Sequence, residues 1–206
     1  NGLKIIINNK PFYGNDIKSL NEVEIDEIKC TDGLVKFINP IEKYKDDILK
    51  KFSNVNKLKV VWDPGNGAIG HVIKQIVNII GGENVILNSC VDGNFPNHHP
   101  DPTIKKNITQ ISNFIKKNSF DMGVAFDGDG DRVGIIDNNG ELIYSDIIFL
   151  LLALDMKKEK NNLVAVADIK CSKILFDTLK KKGVKILMSK TGHSLIKEMI
   201  AKENAD

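Results

Sequence analysis

The spacing of apolar and polar side chains divides the chain into short strands and amphipathic helices that alternate for most of its length. Residues 3–7 read as a strand, with Asn8, Asn9, Pro11 and Gly14 supplying the turn chemistry that ends it. Residues 15–40 mix charged and apolar positions weakly, Asn39-Pro40 marks a boundary, and the charged run 42–51 predicts a helix. Residues 58–62 then read as a buried strand. Ile69, Val72, Ile73, Ile76, Val77 and Ile80 follow at helical spacing, closed by Gly81-Gly82. Residues 85–87 form a second strand in this reading, Ile104, Ile108, Ile111 and Ile115 predict a helix with Thr103 as its N-cap, and residues 122–126 are a third strand. That β-α-β-α-β order predicts a three-layer domain around a largely parallel sheet.

Further along, apolar runs at 133–136 and 142–144 flank Asn138-Asn139-Gly140, the composition of a hairpin turn. A helix over 146–157, a strand over 163–167, a helix over 172–182, a strand over 184–187 and a helix over 194–202 restart the alternation. The expected fold class is α/β, with tandem three-layer α/β/α domains and mixed, largely parallel sheets. The expected domains are residues 1–40, the end of a first domain; 41–140, a complete second; and 141–206, a third that is incomplete at its C-terminus.

The charge of +2 arises from interspersed lysines and acids, without the basic face of a nucleic-acid binder, so no nucleic-acid partner is expected. Cys30, Cys90 and Cys171 are odd in number, far apart and without CxxC spacing, which argues against a disulfide framework or zinc site and for a cytoplasmic setting. The longest apolar run, 147–154, has 8 residues against the roughly 20 of a membrane-spanning helix, so no membrane partner is expected.

The chemistry concentrates between two of the predicted strands, in Asp127-Gly-Asp129-Gly-Asp131-Arg132. Three carboxylates in one tight loop repel one another unless a cation lies between them, and their oxygens suit a hard divalent ion such as magnesium or calcium. Arg132 is the single arginine beside 28 lysines (29 basic residues in all), which suggests a task that needs a planar fork, such as holding phosphate. An EF-hand is excluded, because its sixth and twelfth positions would be Arg132 and Asn138. A solvated turn and a phosphatase with Asp127 as nucleophile and Asp129 as acid/base remain alternatives. Gly65-Asn-Gly67-Ala-Ile-Gly70 matches a dinucleotide fingerprint, but no acid stands at Asn88 to hold a ribose, and a tight strand-to-helix turn suffices. His98 and His99 with Asp101 could ligate a transition metal, although three flanking prolines favour a rigid structural loop. Lys190-Thr-Gly-His193-Ser194 opens a helix, where an anion or a simple capping loop fits equally.

Taken together, Asn1-Gly-Leu-Lys4, Asp63-Pro-Gly-Asn-Gly67, the segment Phe95 to Pro102, the acidic loop, Asp168-Ile-Lys-Cys171 and Lys190 to Ser194 resemble the α-D-phosphohexomutases, in particular the bacterial phosphomannomutase/phosphoglucomutase type. The Pro-rich loop looks less like the phosphoglucosamine branch, so a hexose phosphate is the expected partner. The resemblance implies phosphoryl transfer between O1 and O6 of that sugar, through a phosphoserine and a hexose 1,6-bisphosphate intermediate. It implies that Asp127, Asp129 and Asp131 hold Mg2+, that Arg132 contacts the serine phosphate, that Lys4 is an acid/base, and that Lys170 and His193 face the sugar phosphate. The family's Ser-His-Asn-Pro loop, its Gly-Glu-x-Ser-Gly-His sugar loop and its final domain are not found in these 206 residues. The expectation is therefore an internal piece that is inactive alone and partnered by the missing parts, or else a catalytically silent metal-binding fragment of a split or decaying gene.

Overall fold

The computed structural model describes residues 5–8, 10–23, 33–52 and 57–206. These fall into two compact units, one of Ile38–Ile148 and one comprising the described parts of Asn1–Phe37 together with Phe149–Asp206. The architecture is α/β, and its main sheet is mixed.

At the start of the chain, β1 (Ile5–Ile7) pairs antiparallel with β2 (Lys10–Phe12). The sequence pattern places only turn chemistry after residue 7, so β2 is a correction. Asn8 turns the chain at φ 49°, and Pro11 lies opposite Ile6. A short helix α1 (Asn15–Ser19) and a 3-10 turn (Leu20–Glu22) follow.

Helix α2 (Ile41–Lys51) opens the Ile38–Ile148 unit. After it come β3 (Lys59–Asp63), α3 (Gly70–Val77), β4 (Glu83–Ile86), α4 (Thr109–Asn118), β5 (Met122–Phe126), β6 (Val133–Ile136) and β7 (Leu142–Ile143). The sheet order is β4-β3-β5-β6-β7; β3 runs parallel to β4 and β5, while β6 and β7 are antiparallel. Strand alternation sends Val61 and Ala125 to one face, where they meet Ile108, Ile111, Ile115, Phe120 and Ile136. Ile111 and Ile115 are fully buried, and burial of such side chains contributes about 1.5–3 kcal/mol each. Gly123 permits this closeness, since a Cβ there would lie 2.7 Å from Ile115 and 2.8 Å from Ile111.

The isoleucine spacing from residue 104 predicts a longer α4 than is found. Thr103 is no N-cap: its N–H and hydroxyl both donate to Asp101 Oδ1, at 3.0 and 2.7 Å. Asn107 donates to the Asp101 carbonyl as well, so local side-chain bonds hold this segment in turns until Thr109. The β6–β7 hairpin forms as its turn residues dictate. Asp137 Oδ1 accepts from the N–H groups of Asn139 and Glu141, and Gly140 adopts φ 72°.

Helix α5 (Ser145–Glu159) begins in the Ile38–Ile148 unit and continues into the other, where it leads to β8 (Val164–Asp168), α6 (Lys173–Lys181), β9 (Lys185–Ser189) and α7 (His193–Glu203). β8 and β9 pair in parallel, and Leu163, Ala165, Ala167, Leu175, Leu179 and Ile186 belong to the core around them. Among the described residues, no helix is long and apolar enough to cross a membrane.

Candidate functional site

The acidic loop joins the C-terminal end of β5 to β6, and the antiparallel register Phe126↔Val133 closes it tightly. Inside, Asp127 N–H donates to the Arg132 carbonyl (3.3 Å), Gly130 N–H donates to the Asp127 carbonyl (3.1 Å), and Gly130 takes φ 74°. Asp127 is 2% exposed, whereas Asp129 and Asp131 are exposed. One oxygen from each of the three lies within 4.8 Å of the others. In an octahedral magnesium shell, neighbouring ligands stand about 3.0 Å apart and opposite ones about 4.2 Å, so small movements of two exposed side chains would complete the fit.

Arg132 is fastened to this loop by its own neighbour. Asp127 Oδ1 accepts from Arg132 N–H at 3.0 Å, and Oδ2 accepts from Arg132 Nε at 2.8 Å. A carboxylate oxygen has two acceptor sites, so each retains one for a cation. The guanidinium also has Asp101 Oδ2 at 3.6 Å from Nη1 and Asp131 Oδ1 at 3.9 Å from Nε. The hydrogen bond to Asp127, followed by the other two carboxylates, raises its pKa further and keeps it charged. Asp101 is held below the usual carboxylate range, chiefly by the Thr103 hydroxyl and with a smaller contribution from Arg132.

The loop rests on the turn between β3 and α3. Ala68 N–H donates to the Gly128 carbonyl at 3.0 Å. A Cβ on Gly67 would lie 2.8 Å from that carbonyl, and one on Gly70 would lie 2.6 Å from the Ser89 carbonyl. The glycine fingerprint at 65–70 therefore serves contact with the chain's own backbone, in keeping with the turn reading. His98 is likewise occupied: Nε2 lies 2.9 Å from Asp63 Oδ2 and Nδ1 lies 3.0 Å from the His99 carbonyl. Both ring nitrogens of His98 are thus engaged within the protein, which favours the structural reading over a transition-metal ligand.

Lys170 and His193 belong to the other unit and sit on adjacent loops beyond the C-terminal ends of β8 and β9. Ile169 N–H donates to the Ser189 carbonyl at 2.8 Å, and Asp168 Oδ1 accepts from both Lys170 N–H (2.9 Å) and the Thr191 hydroxyl (2.8 Å). Both side chains are exposed, with His193 opening α7, where free N–H groups favour an anion. Lys4 lies outside the described residues. The sequence pattern does not reveal the fastening roles of Asp63, Asp101, Asp168 and Thr191. The only available signal for them is the density of Asp, Asn and Pro in the loops that follow strands.

Two α/β arrangements place polar loops beyond parallel strand ends, and one of those loops carries three aspartates and an arginine. Residues 37–140 match the family model for phosphoglucomutase/phosphomannomutase alpha/beta/alpha domain II, and residues 144–206 match that for domain III. The chain belongs to the phosphoglucomutase/phosphomannomutase family. It is 38% identical over all 206 residues to a phosphomannomutase/phosphoglucomutase of Pseudomonas syringae pv. tomato, covering 44% of that protein. A phosphomannomutase of Methanocaldococcus jannaschii is 38% identical over 169 residues, which is 82% of this chain and 37% of the relative. The crystal structure of a phosphoglucomutase/phosphomannomutase family protein from Burkholderia thailandensis superposes with a TM-score of 0.90 at 32% identity, covering 98% of this chain and 44% of that one. The chain thus spans less than half the length of these relatives.

Proposed function

We propose that this chain supplies the metal-holding and sugar-facing parts of a phosphohexomutase, which moves a phosphoryl group between O1 and O6 of a hexose phosphate through a phosphoserine and a hexose 1,6-bisphosphate. The observation that carries the reading is the convergence of Asp127, Asp129 and Asp131 on one point, with Arg132 anchored beside them. These three carboxylates would hold Mg2+, which supplies electrostatic stabilisation of phosphoryl oxygens. Asp127 holds Arg132 by Nε and leaves the half-exposed guanidinium with further donors for a serine phosphate. Lys170 and His193 bind the sugar phosphate, and Lys4 moves the hydroxyl proton. Positioning supplies most of the rate in such transfers, so residues that orient the phosphate matter more than any nucleophile of this chain.

In this reading residues 1–40 end a first domain, 41–140 form the second and 141–206 begin the third, within a cytoplasmic enzyme whose other parts supply the serine. The burial of Asp127 and its two bonds to Arg132 favour a ligand role over a nucleophile that must meet phosphorus in line. Titration calorimetry with magnesium tests the site. The wild-type chain should bind the ion and Asp129→Asn should bind about tenfold more weakly or worse; equal affinities would remove the assignment.

A further inference from the structure

Asp63 is 1% exposed at the C-terminal end of β3, and the reaction proposed above gives it no part. Its Oδ1 accepts from Gly65 N–H at 2.9 Å and from Asn88 Nδ2 at 3.0 Å, while Oδ2 faces His98 Nε2 at 2.9 Å. On the far side of the ring, Nδ1 lies 3.0 Å from the His99 carbonyl. A carbonyl and an ionised carboxylate can only accept, so the two contacts are both satisfied when each ring nitrogen carries a proton and His98 donates to both as an imidazolium. The hydrogen bond to Asp63 raises its pKa in the same sense, against the opposing effect of desolvation.

One carboxylate therefore ties together three segments: its own turn through Gly65, the loop after β4 through Asn88, and the Pro-rich loop through His98. The acidic loop leans on these segments. Gly128 receives the Ala68 N–H, and a Cβ on Gly128 would lie 3.4 Å from both Phe95 and Pro100. Gly130 faces Ile69, and Gly134, just after the loop, faces Pro102, at 3.1 and 2.8 Å from where a Cβ would stand. The Pro-rich loop also carries Asp101 to its place 3.6 Å from Arg132.

We infer that His98 and Asp63 are positioning residues for Asp127–Arg132: their directed hydrogen bonds set the platform that orients the metal loop, without either residue touching cation or substrate. The inference rests on the metal-loop reading only for its consequence in catalysis, because the fastening itself can be measured without metal.

The test is amide hydrogen exchange on the metal-free 206-residue chain. His98→Ala should speed exchange at Ala68 and Gly130 by about tenfold or more while leaving Val61, in the centre of the sheet, within about twofold. Asp63→Asn should stay within about twofold at all three, because the new amide accepts from Gly65 and Asn88 and donates to a neutral imidazole. Should His98→Ala not fold, His98→Gln replaces it; this side chain can donate to Asp63 and loses the His99 bond, so the same local acceleration is expected at smaller amplitude. Equal acceleration at Val61 would reduce the pair to general stability and overturn the inference. An unchanged loop, or Asp63→Asn as disruptive as His98→Ala, would overturn it too. Magnesium titration of the same proteins separates the two readings: a wild type that binds no magnesium defeats the metal assignment alone, and loosened amides together with weakened binding support both.

Discussion

Asp63 and Asp127 stand at the ends of neighbouring parallel strands, both almost wholly buried, and their partners give them different work. Asp127 faces a guanidinium on its own loop, five residues on, while Asp63 faces an imidazole 35 residues away. The first pairing is legible in the sequence, since Asp127 and Arg132 share one motif. The second is not, because nothing in local spacing brings residue 98 to residue 63. The His98 pairing carries a pH signature. Its pKa is raised on folding, so its contribution to stability is complete below the unfolded value of about 6.5 and is lost as pH rises through the folded value. Urea midpoints, followed by the fluorescence of the single tryptophan Trp62, should therefore fall between pH 6 and a pH above the folded value. Asp63→Asn should lack this slope, because a neutral ring satisfies the same contacts; an identical slope in both proteins would rule out His98 as the titrating group.

Elements follow the hydrophobic pattern where packing decides and depart from it where polar side chains compete. Ile111 and Ile115 keep their predicted helix because they seat against Gly123 and Val61. Ile104 shares their spacing yet is 47% exposed, in turns held by Asp101, Thr103 and Asn107. β2 departs for another reason: Pro11 lies among the turn residues Asn8, Asn9 and Gly14, and pairing with β1 makes Lys10–Phe12 a strand. Because Ile111 is fully buried between helix and sheet, Ile111→Ala should cost about 2–5 kcal/mol in urea denaturation of the Ile38–Ile148 unit. Ile104→Ala should cost far less, and similar losses for the two would contradict this placement of the core.

At the scale of the molecule, family membership and chain length point to different expectations for activity. The domain II and domain III models together match residues 37–140 and 144–206, while the P. syringae relative is covered only to 44%. If the phosphoryl group passes through a phosphoserine as proposed, the 206-residue chain, in which no serine stands in a Ser-His-Asn-Pro loop, should form no glucose 6-phosphate from glucose 1-phosphate with magnesium and catalytic glucose 1,6-bisphosphate. Turnover above the protein-free rate in a coupled assay would overturn that expectation. By itself, the sequence determined the α/β alternation, the three-aspartate loop with its arginine, and the family resemblance, because each is written in neighbouring residues whose period or spacing is the signal. Tertiary structure alone decided that Gly67 and Gly70 are platform glycines, that His98 belongs to Asp63, and that Thr191 belongs to Asp168. Those contacts arise only once parallel strands place the loops after β3, β4 and β5, or after β8 and β9, side by side, and no local pattern encodes which loops will be neighbours.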